Sequence, residues 1–183
     1  QGDHIATGAY IALGLVALMG TAGSIAGLSF GWPMILALVC AAVLNGVVAL
    51  ALDRAIFSRL RRRQASRISL IMASFGVALM LRHLIIVFAG HEPQYYAFAI
   101  QPALDLGGVR ITRNELISVG VTTVMVIGLH LFLSRTWLGK SMRAVAENPS
   151  LARVNGIDVN RVIRWTWVIG AGLAAVAGVL IGL

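Results

Sequence analysis

The sequence predicts an all-α membrane protein, a polytopic transmembrane helical bundle with about five spans in its 183 residues. Three observations carry this. Hydrophobic residues make up 58% of the chain and charged residues 12%, against about 25% charged in an ordinary soluble domain. The mean hydropathy is +0.87. The charges are not dispersed but cluster between long uncharged runs. A water-soluble globule of this size must expose much of its surface and cannot hide so much apolar area. The same richness in apolar residues excludes disorder.

The elements follow in order. From Ile5 to Leu52 no residue is charged, a run long enough for two spans of roughly 20 residues each. Gly20, Gly23, Gly27, Gly31 and Pro33 mark the break, and Pro33 suits the first turn of a helix. The first span is placed at 5–20 and the second at 33–52. Residues 53–67 form a basic loop with Arg54, Arg59, Arg61, Arg62, Arg63 and Arg67. The third span is 68–89. A polar loop of mixed charge covers 90–115, the fourth span is 116–134, and a second basic stretch, 135–164, leads to the fifth span at 165–183. All of 1–183 is read as one transmembrane domain. The chain starts without Met and stops inside an apolar run, which predicts a piece of a longer protein.

Orientation comes from charge. The two basic stretches hold twelve of the fifteen Lys and Arg residues, and short loops rich in these residues stay in the cytoplasm. Residues 53–67 and 135–164 are therefore expected inside, and 21–32 and 90–115 outside. The formal net charge of +8 and a pI near 11.3 would suggest nucleic acid in a soluble protein. Here they describe loops beside a membrane, so the lipid bilayer is the expected surroundings and no nucleic-acid partner is expected. Gly178-xxx-Gly182, together with Gly170, Gly172, Ala174, Ala175 and Ala177, gives the last span the small-residue spacing of a helix inside a bundle.

Motifs for chemistry are missing from the sequence. Gly139-Lys140-Ser141 has the ending of a phosphate-binding loop, but Ser134 stands where that motif needs its first Gly, and a membrane helix precedes it instead of a strand. His4, His83, His91 and His130 are scattered over different segments, and Cys40 is the single cysteine. No metal site, catalytic group or cofactor is expected. Arg82-His83 is the one polar pair inside a span. It lies about 21 Å of helix beyond Arg67, some two-thirds across a ~30 Å core. It faces either a polar path or, by snorkelling, the outer interface.

The richest segment is 135–164. Asn148 is a good N-cap, Pro149 a favoured first helical residue and Gly156 a left-handed terminator. They define a two-turn helix over 149–155 that exposes Leu151 and Val154 and carries Arg153. Asp158 then caps a helix running into the last span. Such a surface helix serves equally as an amphipathic turn on headgroups or as a docking surface for a cytosolic partner.

The chain resembles the permease subunits of branched-chain amino acid ABC transporters, the leucine/isoleucine/valine uptake class. Gln1-Gly2-Asp3 with Gly8-Ala9-Tyr10 is similar to an H-G-[ED]…G-A-Y segment of that family, with Gln1 in place of the usual His. The arginine-rich stretch ahead of Ile68 is similar to the family's basic loop. The most specific match is Thr136-x-Leu138-Gly139-Lys140-x-Met142-Arg143-Ala144-Val145-Ala146, continued by Asn148-Pro149, Ala152 and Gly156-Ile157-Asp158-Val159-x-Arg161-Val162. The resemblance implies a bacterial inner-membrane, multi-pass location. It implies three kinds of protein partner: cytosolic ATP-binding cassette subunits, a second permease subunit, and a periplasmic or lipid-anchored substrate-binding protein. It also implies a coupling helix that enters an ATPase groove, with Arg143, Glu147, Asn148, Pro149, Leu151, Ala152, Arg153 and Gly156 as the coupling residues. Gly2, Arg82 and His83 are the candidates for the substrate path. The expected cargo is a branched-chain or related small amino acid. Arg82-His83 stands where the family is expected to have uncharged polar residues, which keeps amides, urea and sugars open as cargo. An ion-coupled secondary transporter is the other alternative, but the clear spans hold no Asp or Glu for ion binding.

Overall fold

A computed structural model describes residues 2–19, 32–90, 104–106 and 109–182. The expected turn at 21–32 and most of the loop at 90–115 lie outside them. Eight α-helices are described: α1 (Gly2–Met19), α2 (Trp32–Leu52), α3 (Ser58–Arg62), α4 (Arg67–Ala89), α5 (Arg113–Arg135), α6 (Trp137–Glu147), α7 (Pro149–Val154) and α8 (Val159–Gly182). Among the described residues four stretches, Pro33–Arg62, Ile68–Ala89, Arg113–Arg135 and Val159–Gly182, are long and apolar enough to cross a membrane, and α1 is apolar but shorter.

The fold is that of a polytopic helical membrane protein, and it differs from the sequence expectation in several places, α6 among them, a helix where only the short helix and the start of the last span are expected. The stretch 53–67 is not a loop through its length. A π-helical turn, Asp53–Phe57, joins α2 to α3, so the helix continues to Arg62 and the chain turns only over 63–66. The cause is a charge pair two turns apart: Asp53, almost wholly buried, accepts from Arg61 Nη2 at 2.6 Å. With its charge matched inside the bundle, Asp53 no longer ends the span. A further difference is a small hairpin, the only strands among the described residues. Strands β1 (Leu104–Leu106) and β2 (Val109–Ile111) pair antiparallel with Asp105 opposite Arg110. Leu-Asp-Leu and Val-Arg-Ile alternate around Gly107-Gly108 in the sequence, a two-residue hairpin signal.

The chain divides into two compact units, Gln1–Phe98 with Trp167–Leu183, and Ala99–Thr166. In the first, small residues lie inside and large ones outside. Ala12, Ala37, Ala41, Ala49, Ala171 and Ala175 are buried, whereas Ile35, Leu36, Val39, Val43 and Val47 of α2 are exposed. Lipid tails are as apolar as leucine, so helix association there rests on close backbone approach rather than on hiding large side chains. The α1–α8 crossing fits this. A Cβ at Gly178 would fall on the carbonyl oxygen of Ile5, and one at Gly8 on the backbone of Ala175. The sequence expectation of a small-residue packing face on the last span is met at Gly178. Ala12, Val16, Met34, Ala37, Ala41 and Val179 form one apolar cluster. Phe57, Val77 and Leu81 form a second, against which Trp167 packs.

In the second unit, α5 starts in a capping box. Thr112 Oγ1 accepts from Glu115 N–H and the Glu115 carboxylate accepts from Thr112 N–H. This satisfies two helix-end donors reciprocally and starts the helix at Arg113, ahead of the expected 116.

Candidate functional site

Two places concentrate polar chemistry, one in each unit. The first is the α5–α6–α7 elbow. Thr136 leaves the helical conformation, with φ −87° and ψ 152°, ending α5 and capping α6. Its hydroxyl donates to Phe132 O and accepts from Gly139 N–H. Gly139 sits so close beneath this corner that a Cβ would lie 2.5 Å from Leu133 Cα and Phe132 O. The glycine that resembled part of a phosphate loop is therefore a steric requirement of the elbow. Behind it Ser141, also buried, donates to Trp137 O.

Helix α6 ends at Asn148, whose side-chain oxygen accepts from the N–H groups of Ser150 and Leu151. Pro149 follows at the first helical position, where its missing N–H costs nothing. Gly156 takes φ +78°, a conformation that L side chains rarely adopt. Asp158 Oδ1 accepts from Asn160 and Arg161 N–H and starts α8. Every cap expected from the sequence is made, and the short helix spans Pro149–Val154.

Most of the expected coupling residues face outward. Arg143, Glu147, Asn148, Pro149, Arg153 and Gly156 are exposed, and Leu151 and Val154 are 60% and 85% exposed. Ala152 differs: it is 3% exposed. A six-residue helix beside α6 has one inward face, and Ala152 occupies it. The outward surface is thus Leu151, Arg153 and Val154, two bare aliphatic side chains around a cation, held by capped ends.

The second place is an interior node in the first unit that sequence reasoning passed over. Asn45 is fully buried. Its Nδ2 donates to His4 O at 3.0 Å and to Ala171 O at 2.8 Å, and its Oδ1 lies 3.5 Å from His4 Nδ1. One amide thereby ties α1, α2 and α8. The His4 ring stands edge-on to Trp167 at 6.1 Å, and Trp167 leans on Phe57 at 5.1 Å. The available signal was a single Asn in the apolar run of α2. Interhelical hydrogen bonds in membranes are worth about 0.6 kcal/mol on average and up to ~1.7. Asn45→Ala is therefore expected to cost about 1–3 kcal/mol, read as an earlier thermal transition of the detergent-solubilised protein. An unchanged transition would deny the node a structural role.

Gly2 is exposed at the start of α1, and Arg82 and His83 lie on the exposed side of α4. Among the described residues no ion pair involves Arg82, and the His83 ring bonds only locally, Nδ1 to Leu79 O at 2.8 Å.

Comparison with known proteins gives a consistent answer. A family model described as "Branched-chain amino acid transport system / permease component" matches residues 1–183. The chain is 28% identical to the high-affinity branched-chain amino acid transport system permease protein BraD of Pseudomonas aeruginosa, over 96% of this chain and 56% of that protein. It is 26% identical to the LivH permease protein of Escherichia coli K12, covering 100% of this chain and 59% of the relative. It is 30% identical to a probable branched-chain amino acid transport permease protein LivH of Methanocaldococcus jannaschii, covering 99% and 55%. The chain therefore spans less than two-thirds of the length of these relatives. No solved structure matches it significantly.

Proposed function

The chain belongs to the family of branched-chain amino acid transport permeases, and on that premise we propose that it forms part of the membrane pathway of an ABC importer for branched-chain or related small amino acids. In this reading it is a transport subunit without chemistry of its own. Separate cytosolic ATP-binding cassette subunits supply the energy, a second permease subunit completes the pathway, and a periplasmic or lipid-anchored binding protein delivers the cargo at a bacterial inner membrane.

The observation that carries the reading is α7. Two aliphatic side chains that stand 60% and 85% exposed, on a basic segment assigned to the aqueous cytoplasmic side, favour a partner surface over water. The helix is capped at both ends, so it moves as a body. The connection to α8 is short, Asn155 to Asp158, so a push on α7 reaches a membrane helix with little slack. Closure of the ATPase pair would then shift the pathway between its two openings, in the manner of a two-state rigid-body switch. Arg143, Glu147, Leu151, Arg153 and Val154 are assigned to the contact, Asn148, Pro149 and Gly156 to holding its shape, and Ala152 to seating it. Gly2 and the Arg82–His83 pair are assigned to the path.

The test is purification of the tagged full-length protein. A P-loop ATPase is expected to accompany it, and ATP is expected to drive leucine uptake into vesicles containing the whole complex. Purification without an ATPase, with uptake driven by a proton or sodium gradient, would replace this reading by the ion-coupled one.

A further inference from the structure

We propose that the arginine-tipped hairpin between α2 and α4 is a binding site for the headgroups of anionic phospholipids. It rests on residues other than those assigned to the ATPase contact and does not depend on that assignment.

The charge is uncompensated. Residues 53–67 contain six arginines and one acid, Asp53. Asp53 is taken by Arg61. Arg54, Arg59, Arg62 and Arg63 are exposed, and among the described residues none of the four makes an ion pair. The tip is also shaped. Arg63 N–H donates to Arg59 O, Gln64 N–H to Arg61 O and Ala65 N–H to Leu60 O. Gln64 takes φ 52°, and Ser66 caps α4 by accepting from Ser69 N–H. Arginines on so tight a turn are pre-arranged, and guanidinium forks match phosphate oxygens in pairs.

The start of α4, directly after the tip, selects the ligand. On its first turns Ile68, Ile71, Met72 and Phe75 are all 64–68% exposed. Their spacing of three and four residues makes one stripe along the helix. A cationic turn leading directly into an exposed apolar stripe fits an amphiphile that carries a negative headgroup and acyl chains. A nucleic acid or an acidic protein loop would use the charge and leave the stripe bare. Four to eight basic residues at the end of a membrane helix are the pattern expected of an anionic-lipid site.

The experiment uses the full-length permease in its assembled complex, in nanodiscs of phosphatidylcholine with increasing phosphatidylglycerol, and counts retained lipid by native mass spectrometry. The variant is R59Q/R62Q/R63Q. Arg61 is left alone because its loss would strand Asp53. Each arginine near an anionic surface is worth roughly fivefold in binding, so the triple variant is expected to retain phosphatidylglycerol about a hundredfold more weakly. R59K/R62K/R63K keeps the charge and is expected to restore most of the retention, which separates loss of the site from loss of fold. Wild-type retention is expected to fall with salt. Equal retention by wild type and the glutamine variant overturns the proposal. So does displacement of the lipid by millimolar inorganic phosphate, which would indicate a free-phosphate site. Loss of ATPase from the glutamine variant with lipid retention unchanged would assign the arginines to a protein contact instead.

Discussion

Aspartate at both Leu151 and Val154 is expected to remove the ATPase from the purified complex and reduce uptake to background, while the permease folds as before. The two side chains are exposed, and substitutions at such positions usually change stability by no more than about 0.5 kcal/mol. A partner seated on α7 changes the accounting. Each new carboxylate would lose its water without a counter-charge, a penalty of several kcal/mol per ion, and two exceed a thousandfold in affinity. Co-purification and the thermal transition of the permease read the two halves of this statement separately. Ala152→Glu must not be used in their place. Ala152 is buried, so a carboxylate there attacks the seat of α7 on its own unit, and lost association would report lost shape. It is expected to lower the thermal transition, which the double aspartate variant leaves unchanged.

The largest effect on assembly is expected from Gly178→Val. A Cβ at that position collides with the carbonyl oxygen of Ile5 and presses on Ala9 Cβ at 3.2 Å. The obstacle is backbone, which cannot rotate aside, so α1 must part from α8. Overpacking of a well-fitted interior costs about 1–3 kcal/mol and at times more. Here the displacement also stretches both bonds that Asn45 donates, to His4 O and Ala171 O. The folded protein recovered from membranes is expected to fall severalfold, and Gly8→Val is expected to do the same through Ala175. Gly170→Ala is the control. It lies in the same helix with nothing within 4 Å of its Cβ, where alanine is neutral or mildly favourable. Equal recovery of Gly178→Val and Gly170→Ala would contradict the close α1–α8 crossing.

Local signals proved the most legible. The uncharged runs gave the long helices, because the distribution of charge along one segment needs no knowledge of any other. The caps at Asn148, Pro149, Gly156 and Asp158 were readable for the same reason: each acts on N–H groups or backbone angles within a few residues. The capping box at Thr112 and Glu115 is an equally local signal. What the sequence does not show depends on neighbours beyond the adjacent turn. Asp53 looked like the end of a span until Arg61 neutralised it inside the bundle. Asn45 binds a carbonyl 126 residues away, and nothing in the apolar run around it names that partner. Ala152 turns inward, and a two-turn helix shows all its faces in sequence until a neighbouring helix decides which one that is. The constraint on Gly139 comes from the backbone at Phe132 and Leu133, brought near by the elbow.

The proposed importer requires α7 to stand on the side of the membrane where the ATPases are. It is tested most directly by labelling Ser150→Cys with a membrane-impermeant maleimide. Ser150 is exposed and contributes only its backbone N–H to the cap. The native Cys40, also exposed, is first replaced by alanine. In cells with permeabilised outer membranes the new thiol at position 150 is expected to stay unlabelled. In inverted inner-membrane vesicles it is expected to label readily, and added ATPase subunits are expected to protect it. Rapid labelling in the cells and none in the inverted vesicles would place α7 outside, beyond the reach of any ATPase.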